Sequence, residues 1–289
     1  MILRFAPTPN GRLHVGHAYS ALMNARLRRR YGGRLLLRFE DTDPTRCRPE
    51  FETAMADDLA WLGLAFEPAP RRQSDHLRDY AAAIGGLQSR GLAFPCFCTR
   101  GALVGASGGA RDPDGSPLHR GRCCDPAAAE ARIARGEPHA LRLDSAAALA
   151  LAPAGLDFEE YGEGDTPARL LAAPADWGDV ALRGKERPAT YHLAVVVDDA
   201  LQGVTDVVRG RDLLPSTSVH RLLQALLGLA PPRYRHHRLV MDASGAKMSK
   251  SAASTPLAQL RAEGVSASQL RAALGFEAGE SGSLAFTIS

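Results

Sequence analysis

Apolar and polar residues fall into short blocks with alternating periods along the first ninety positions. Residues 2–6 form a brief apolar run suited to a buried strand, closed by Pro7 and Pro9. Across residues 15–30, Val15, Ala18, Leu22 and Ala25 recur at helical spacing, and Tyr31-Gly32-Gly33 stops the run. Residues 34–40 read as a second strand, and 49–62 and 76–90 as helices. Strand, helix, strand, helix in that order, with helix-length connections, predicts an α/β fold with a doubly wound parallel sheet of the nucleotide-binding kind.

Residues 93–124 break this rhythm with Gly, Pro, Ser and four of the five cysteines, and predict the core of an inserted subdomain. Residues 126–135 look helical, and the Ala-, Gly- and Pro-rich stretch to about 177 has weak periodicity. The pattern resumes at 191–197, a β-branched run that suits a strand buried on both faces. Residues 204–208 predict another strand, 216–227 a helix and 238–241 a strand, and 252–289 hold two short helices. The expected organisation is a nucleotide-binding domain from 1–92 and 178–251, an insert at 93–177, and a short helical C-terminal part at 252–289.

A hydrophobic share of 45% supports an ordinary core. A net charge of +3 is compatible with a nucleic-acid partner without arguing for one. Aromatics at 6% are too few for a base-stacking platform. No apolar run reaches the roughly 20 residues of a membrane span, so no membrane partner is expected. The start of the chain, broken by Arg4 and Pro7, is no export signal, and five cysteines without one point to a reducing, cytoplasmic setting and to metal or free thiols.

The charge inventory is informative in one place. Of 35 Lys and Arg residues only Lys185, Lys247 and Lys250 are lysine, and two of them fall in Lys247-Met248-Ser249-Lys250. A chain that writes its cations as arginine wants a compact, mobile ammonium there, as a phosphate in reaction would. The Ser-, Gly- and Ala-rich surroundings suit a loop that closes over a polyphosphate. At the other end, residues 7–17 form a strand-to-helix turn carrying His14-Val15-Gly16-His17. A helix N-terminus offers unpaired N–H groups to phosphate, the histidines can hydrogen-bond it, and Gly16 removes a side chain so that adenine or ribose could lie against the backbone.

These two segments resemble the signature motifs of class I aminoacyl-tRNA synthetases. The blocks Arg4-Phe5-Ala6-Pro7-Thr8-Pro9, Leu37 to Asp43, Tyr191 to Asp199 and Val207 to Leu213 resemble the glutamyl branch in particular, and the resemblance runs from about Leu3 to Ser251. It implies a Rossmann-like catalytic domain that activates glutamate with ATP and Mg²⁺. His14, Gly16 and His17 would sit by the α-phosphate and ribose, and Lys247 and Lys250 by the β- and γ-phosphates. Arg4 and Arg209 would hold the carboxylates of glutamate, Glu40 its ammonium and Tyr191 would add a hydroxyl, with Ala6 and Thr8 lining the pocket; Arg38 and Arg211 are equally open to a structural role.

Cys96-Phe97-Cys98 and His119 to Cys123 place three thiolates and an imidazole in two short knuckles, a set that suits tetrahedral Zn²⁺. The resembled family usually carries tyrosine where His119 stands, and Cys124 beside Cys123 leaves the fourth ligand open. Cys47 reads as a free thiol. Full-length glutamyl synthetases continue into a large anticodon-binding region, whereas only residues 252–289 follow here. The layout therefore resembles the short glutamyl-Q tRNA(Asp) synthetases, which activate glutamate without tRNA and transfer it to queuosine at the wobble position of tRNA(Asp). A monomer is expected. Two alternatives are a truncated glutamyl-tRNA synthetase charging a terminal adenosine and a catalytically silent, zinc-containing RNA-binding paralogue.

Overall fold

The computed structural model describes residues 1–241, 255–278, 281, 284 and 286–289. Lys247 and Lys250 lie outside the described residues. The chain runs from β1 (Ile2–Phe5) through α1 (Val15–Tyr31), β2 (Arg34–Phe39), α2 (Pro49–Trp61) and β3 (Arg71–Arg72) to α3 (Leu77–Ser89). Next come β4 (Ala93–Cys96), α4 (Arg100–Ala106), α5 (Pro126–Ala134), β5 (Ala140–Leu143), α6 (Ser145–Leu151), β6 (Asp157–Glu160), β7 (Ala168–Leu171) and β8 (Ala181–Arg183). Then follow α7 (Tyr191–Leu201), β9 (Asp206–Gly210), α8 (Ser216–Leu227), β10 (Arg233–His237), β11 (Val240–Met241), α9 (Leu257–Ala262), α10 (Ala267–Ala273) and β12 (Thr287–Ile288).

Strands β1, β2 and β3 pair in parallel, as do β9, β10 and β6, with β7 antiparallel on the outer edge. The two groups meet where β1 lies beside β9. Thr205 N donates to Ile2 O at 3.0 Å, and two residues on, the Arg4 side chain reaches Val208 O. The chain thus leaves β1 toward β2 on one side while β9 leads to β10 on the other. Such a reversal opens a crevice at the carboxyl ends of the strands. A separate antiparallel sheet, β4-β5-β8, packs with α3, α6, α7 and α8 around a core that includes Tyr80, Leu141, Leu182 and Leu193. The other large core lies between β1, β2, α1, α2, α9 and α10.

Helix α8 has the bounds expected from the sequence. The run 191–197, expected to be a strand, is instead the first part of α7. Leu193 to Asp199 are all buried, so this segment has no polar face to display either period. A helix apolar all round reads like a two-sided strand, and tertiary burial overrides the weak helix propensity of its three consecutive valines. Strand β10 escaped the sequence reading because Arg233-Tyr234-Arg235-His236-His237 looks polar; four of its five residues are nonetheless buried. Of the strand expected at 238–241 only Val240–Met241 forms, paired with β12. Among the described residues no helix is long and apolar enough to cross a membrane.

Candidate active site

A cleft of about 490 Å³ opens at the carboxyl ends of β1 and β9. Arg4, Ala6, Thr8, His14, Gly16, His17, Glu40, Tyr191 and Arg209 all line it, so the described residues expected to meet ATP and glutamate share one cavity. On its floor α1 begins with a reciprocal cap made of two histidines. His14 Nδ1 accepts from Gly16 N at 3.1 Å, and His17 Nδ1 accepts from His14 N at 3.1 Å. Both Nδ1 atoms being acceptors, each neutral ring carries its proton on Nε2. The rings lie 3.8 Å apart between centroids. Gly16 has a use the sequence did not disclose: a Cβ there would stand 3.0 Å from His14 Cε1, so glycine makes room for the capping ring.

The described residues that flank 242–254 in the sequence both lie near this turn. Before it, Val240 lines the cleft. After it, Pro256 bridges to His14 and Leu257 N donates to Leu13 O at 2.9 Å.

On one wall two arginines hang on one carboxylate. Asp199 Oδ1 accepts from Arg4 Nε at 3.0 Å and from Arg38 Nη1 at 2.8 Å. Arg38 is wholly buried and also meets Glu40 at 3.3 Å and Asp198 at 3.7 Å, which gives it a structural place behind the cleft. Asp198 in turn accepts from Arg71, Gln73 and Tyr80. Asp198 and Asp199 sit on adjacent positions of α7, and only the helical reading of that segment makes them a counter-ion platform. Burial pushes the Glu40 carboxyl up, against the pull of Arg38 and Arg4. Burial also raises the Asp199 carboxyl, but Arg4 and Arg38 outweigh it and hold it low.

Opposite stands Arg209 at the end of β9, 5% exposed. Its Nε donates to His236 Nε2 at 3.0 Å, Nη1 to Tyr191 Oη at 3.2 Å, and Nη2 to Thr217 Oγ1 at 2.7 Å. His220 Nδ1 lies 3.2 Å from Nη1. Every one of these groups is uncharged as an acceptor. Among the described residues no carboxylate pairs with Arg209. A buried cation without an anion is costly unless one arrives from outside. The arrangement can therefore seat an anionic group beside Arg209 and present a helix N-terminus with two N–H-bearing rings to a phosphate.

The sequence matches the family described as "tRNA synthetases class I (E and Q), catalytic domain" over residues 1–276. The chain belongs to this family. It is accordingly an enzyme, a ligase. The chain is 40% identical to the glutamyl-Q tRNA(Asp) synthetase of Rhodobacter capsulatus, over 95% of this chain and 100% of that protein. It is 35% identical to the protein of the same name from Nitratidesulfovibrio vulgaris, over 96% of this chain and 86% of that one. Glutamate–tRNA ligase 2 of Nitrosococcus oceani is 36% identical over 90% of this chain but 56% of its own length. The crystal structure of glutamate-tRNA synthetase from Elizabethkingia anophelis shares the fold, with a TM-score of 0.76 at 23% identity, covering 95% of this chain and 61% of that one.

The cysteine knuckles of this class I synthetase also converge. The sulfurs of Cys96, Cys98 and Cys123 lie within 4.8 Å of one another. His119 turns Nε2 to Cys96 Sγ at 3.5 Å, while its Nδ1 faces Asp179 Oδ2 at 3.2 Å. Asp179 is fixed by Gly121 N at 2.6 Å and by the amide and hydroxyl of Ser145. Gly178, at φ 58°, lets the backbone beside Asp179 touch that of His119, since a Cβ would fall 2.3 Å from His119 O. Hydrogen bonding to Asp179 and Cys96 lifts His119 to about 9, and burial with its sulfur neighbours pushes Cys98 up to about 12. Burial acts to raise Cys96 as well, but bonds to His119, backbone and Arg142 bring it down to about 6. Crowded sulfurs beside a proton-seeking imidazole form an environment that favours positive charge.

Proposed function

We propose that the cleft binds ATP and L-glutamate, forms glutamyl-adenylate without tRNA, and passes the glutamyl group to queuosine at the wobble position of tRNA(Asp). The observation that carries the activation step is Arg209, buried in the cleft with only neutral partners. A substrate carboxylate supplies the missing anion, accepting from the Nη2–H that Thr217 leaves over and from the Tyr191 hydroxyl that Arg209 holds. Glu40, on the same cavity, suits the substrate ammonium, and Arg4 stands ready for a second carboxylate. One carboxylate oxygen of glutamate attacks the α-phosphorus of ATP, the bond to the β-phosphate oxygen breaks, and pyrophosphate leaves. The protein's part is placement and charge stabilisation, with His14 and His17 donating from Nε2 at the start of α1 as negative charge builds. Lys247 and Lys250 serve the β- and γ-phosphates in this reading, and Mg²⁺ accompanies ATP as its counter-ion.

The acceptor assignment is supported by relatives bearing the glutamyl-Q tRNA(Asp) synthetase name along nearly the whole of this chain. It is tested with tRNA(Asp) ending in 2′,3′-dideoxyadenosine, which has no terminal hydroxyl to accept an ester. Radiolabelled glutamate should reach this RNA only when it carries queuosine. Charging of unmodified tRNA(Glu) through its terminal ribose would overturn the assignment.

Substituting Gly16→Ala checks the histidine cap. Alanine gains at most about 1 kcal/mol of helix preference and a displaced His14 ring loses a cap of about the same worth, so stability should change little. Displacing the His14 ring should nevertheless lower the turnover for adenylate formation about tenfold or more. Wild-type turnover in this variant would show that the ring has no part in catalysis.

We also propose that Cys96, Cys98, Cys123 and His119 hold one structural Zn²⁺. Three sulfurs and an imidazole whose far nitrogen is fixed by a carboxylate fit a tetrahedral S₃N set. Elemental analysis should give about one zinc per chain, largely lost in Cys96→Ser with a clear fall in melting temperature. Full retention in His119→Ala would assign the fourth position to Cys124.

A further inference from the structure

Arg209 is held by two lines of imidazoles, and the proton positions along both are fixed by hydrogen-bond logic. A guanidinium has donors only, so each atom it meets must accept. His220 therefore accepts at Nδ1 and carries its proton on Nε2. That nitrogen lies 3.2 Å from His192 Nδ1, which must then accept, leaving the His192 proton on Nε2. His192 Nε2 faces Asp114 Oδ2 at 3.5 Å. On the other side His236 accepts from Arg209 at Nε2, so its Nδ1–H points to Glu160 in a short hydrogen bond. Glu160 Oε1 is itself pinned by the amides of Gly162 at 2.7 Å and His236 at 2.9 Å. One proton arrangement satisfies every contact. Burial, with the nearby Arg209 charge, keeps His220 well below its ordinary value and brings His192 to about 4, in line with neutral rings.

Both lines end on carboxylates, and both carboxylates come from residues 93–177. Asp114 stands in the turn closed by Gly115 N to Asp112 O at 2.9 Å, and also accepts from Ser216 at 3.3 Å. Glu160 ends β6. Arg4 shows the contrasting design, with Asp199 directly on its guanidinium. A carboxylate in direct contact with Arg209 would compete with substrate for the same donors. Set one or two imidazoles away, it polarises the acceptors and offsets part of the cost of burying the cation, yet leaves the charge available to a ligand.

We propose that Asp114, His192 and His220 on one side, and Glu160 and His236 on the other, are positioning residues that aim Arg209 at the substrate carboxylate, so that the 93–177 segment sets affinity for the amino acid. This rests on the reading of Arg209 as a carboxylate-binding group. The chain from Asp114 to Arg209 gives a direct route by which that segment tunes the pocket without touching substrate.

The test is glutamate-dependent ATP–pyrophosphate exchange by the full chain. His220→Leu removes the acceptor at Nη1 and should raise KM for glutamate about tenfold, with kcat and KM for ATP within about threefold. His220→Asn places an amide oxygen near the former Nδ1 and should recover most of that loss. Nitrogen-15 NMR of histidine-labelled protein should show the Nε2–H tautomer at both His192 and His220 at about neutral pH. A wild-type glutamate KM in folded His220→Leu, equal impairment in His220→Asn, or an Nδ1–H tautomer at either ring would overturn the proposal. Should His220→Leu fail to fold, Asp114→Asn decides in its turn: KM for glutamate should rise about fivefold with KM for ATP unchanged, and a wild-type glutamate KM would overturn the proposal. If Arg209→Leu is impaired while His220→Leu and Asp114→Asn are not, the positioning inference alone falls. If the wild-type chain shows no response to glutamate, the reading of the site falls with it.

Discussion

Arg209→Leu is expected to lower kcat/KM for glutamate in pyrophosphate exchange by at least about 100-fold, with KM for ATP nearly unchanged. Truncating one side of a buried, hydrogen-bonded charge pair costs about 2–5 kcal/mol, and each 1.4 kcal/mol is tenfold in rate. The effect falls on the glutamate-bound state because that is where Arg209 gains its anion. Folding should respond differently. In the unliganded protein the guanidinium is buried among His236, His220, Tyr191 and Thr217 without a carboxylate, so its removal also removes a desolvation cost. A melting temperature within a few degrees of wild type, beside the lost activity, is the expected pair of results. Arg209→Lys should remain impaired about tenfold or more, since one ammonium cannot replace the fork of the guanidinium. A folded Arg209→Leu variant with ordinary kcat/KM for glutamate would exclude Arg209 from the binding site.

Asp199→Ala should produce the largest loss of stability of any single change near the cleft. Its carboxylate is shared by Arg4 at 3.0 Å and Arg38 at 2.8 Å, both buried, Arg4 at the edge of the cleft. Without it Arg38 retains Glu40 and Asp198, whereas Arg4 keeps only Val208 O at 3.5 Å among its described hydrogen bonds. Leaving a buried charge uncompensated costs about 3–5 kcal/mol, or on the order of 10 °C in melting temperature for a chain of this size. Asp199→Asn keeps the shape and one acceptor and should lose less. Thermal denaturation of the two variants decides it: a change below about 1 kcal/mol in Asp199→Ala would mean that Arg4 and Arg38 find other anions or water.

The parts of this molecule legible in its sequence are those where pattern and burial agree. Helix α1 shows an apolar stripe, a glycine stop and a histidine pair at its start, and α8 shows Val219, Leu222, Leu223 and Leu226 at helical spacing with a left-handed Gly228 closing it. The segments that misled carry the site itself. Residues 193–199 pack on every side, so their period is silent, and the helix they form is what sets Asp198 and Asp199 behind Arg38 and Arg4. Strand β10 looks like a solvated stretch because His236 was chosen to accept from Arg209 and Arg235 to pair with Asp206. Buried polar residues answer to partners far along the chain, and no local window shows those partners. The same holds for His192 and His220, 28 positions apart and 3.2 Å between ring nitrogens. What the sequence could show was residue choice under compositional bias, as in the two lysines of 247–250 among so many arginines.

The claim on which the account turns is that this one cleft activates glutamate. Exchange of labelled pyrophosphate into ATP by the purified chain, with no RNA added, measures it most directly. Exchange that requires L-glutamate and is absent with L-glutamine is the predicted result. No exchange with glutamate, or exchange equally supported by glutamine, would contradict it.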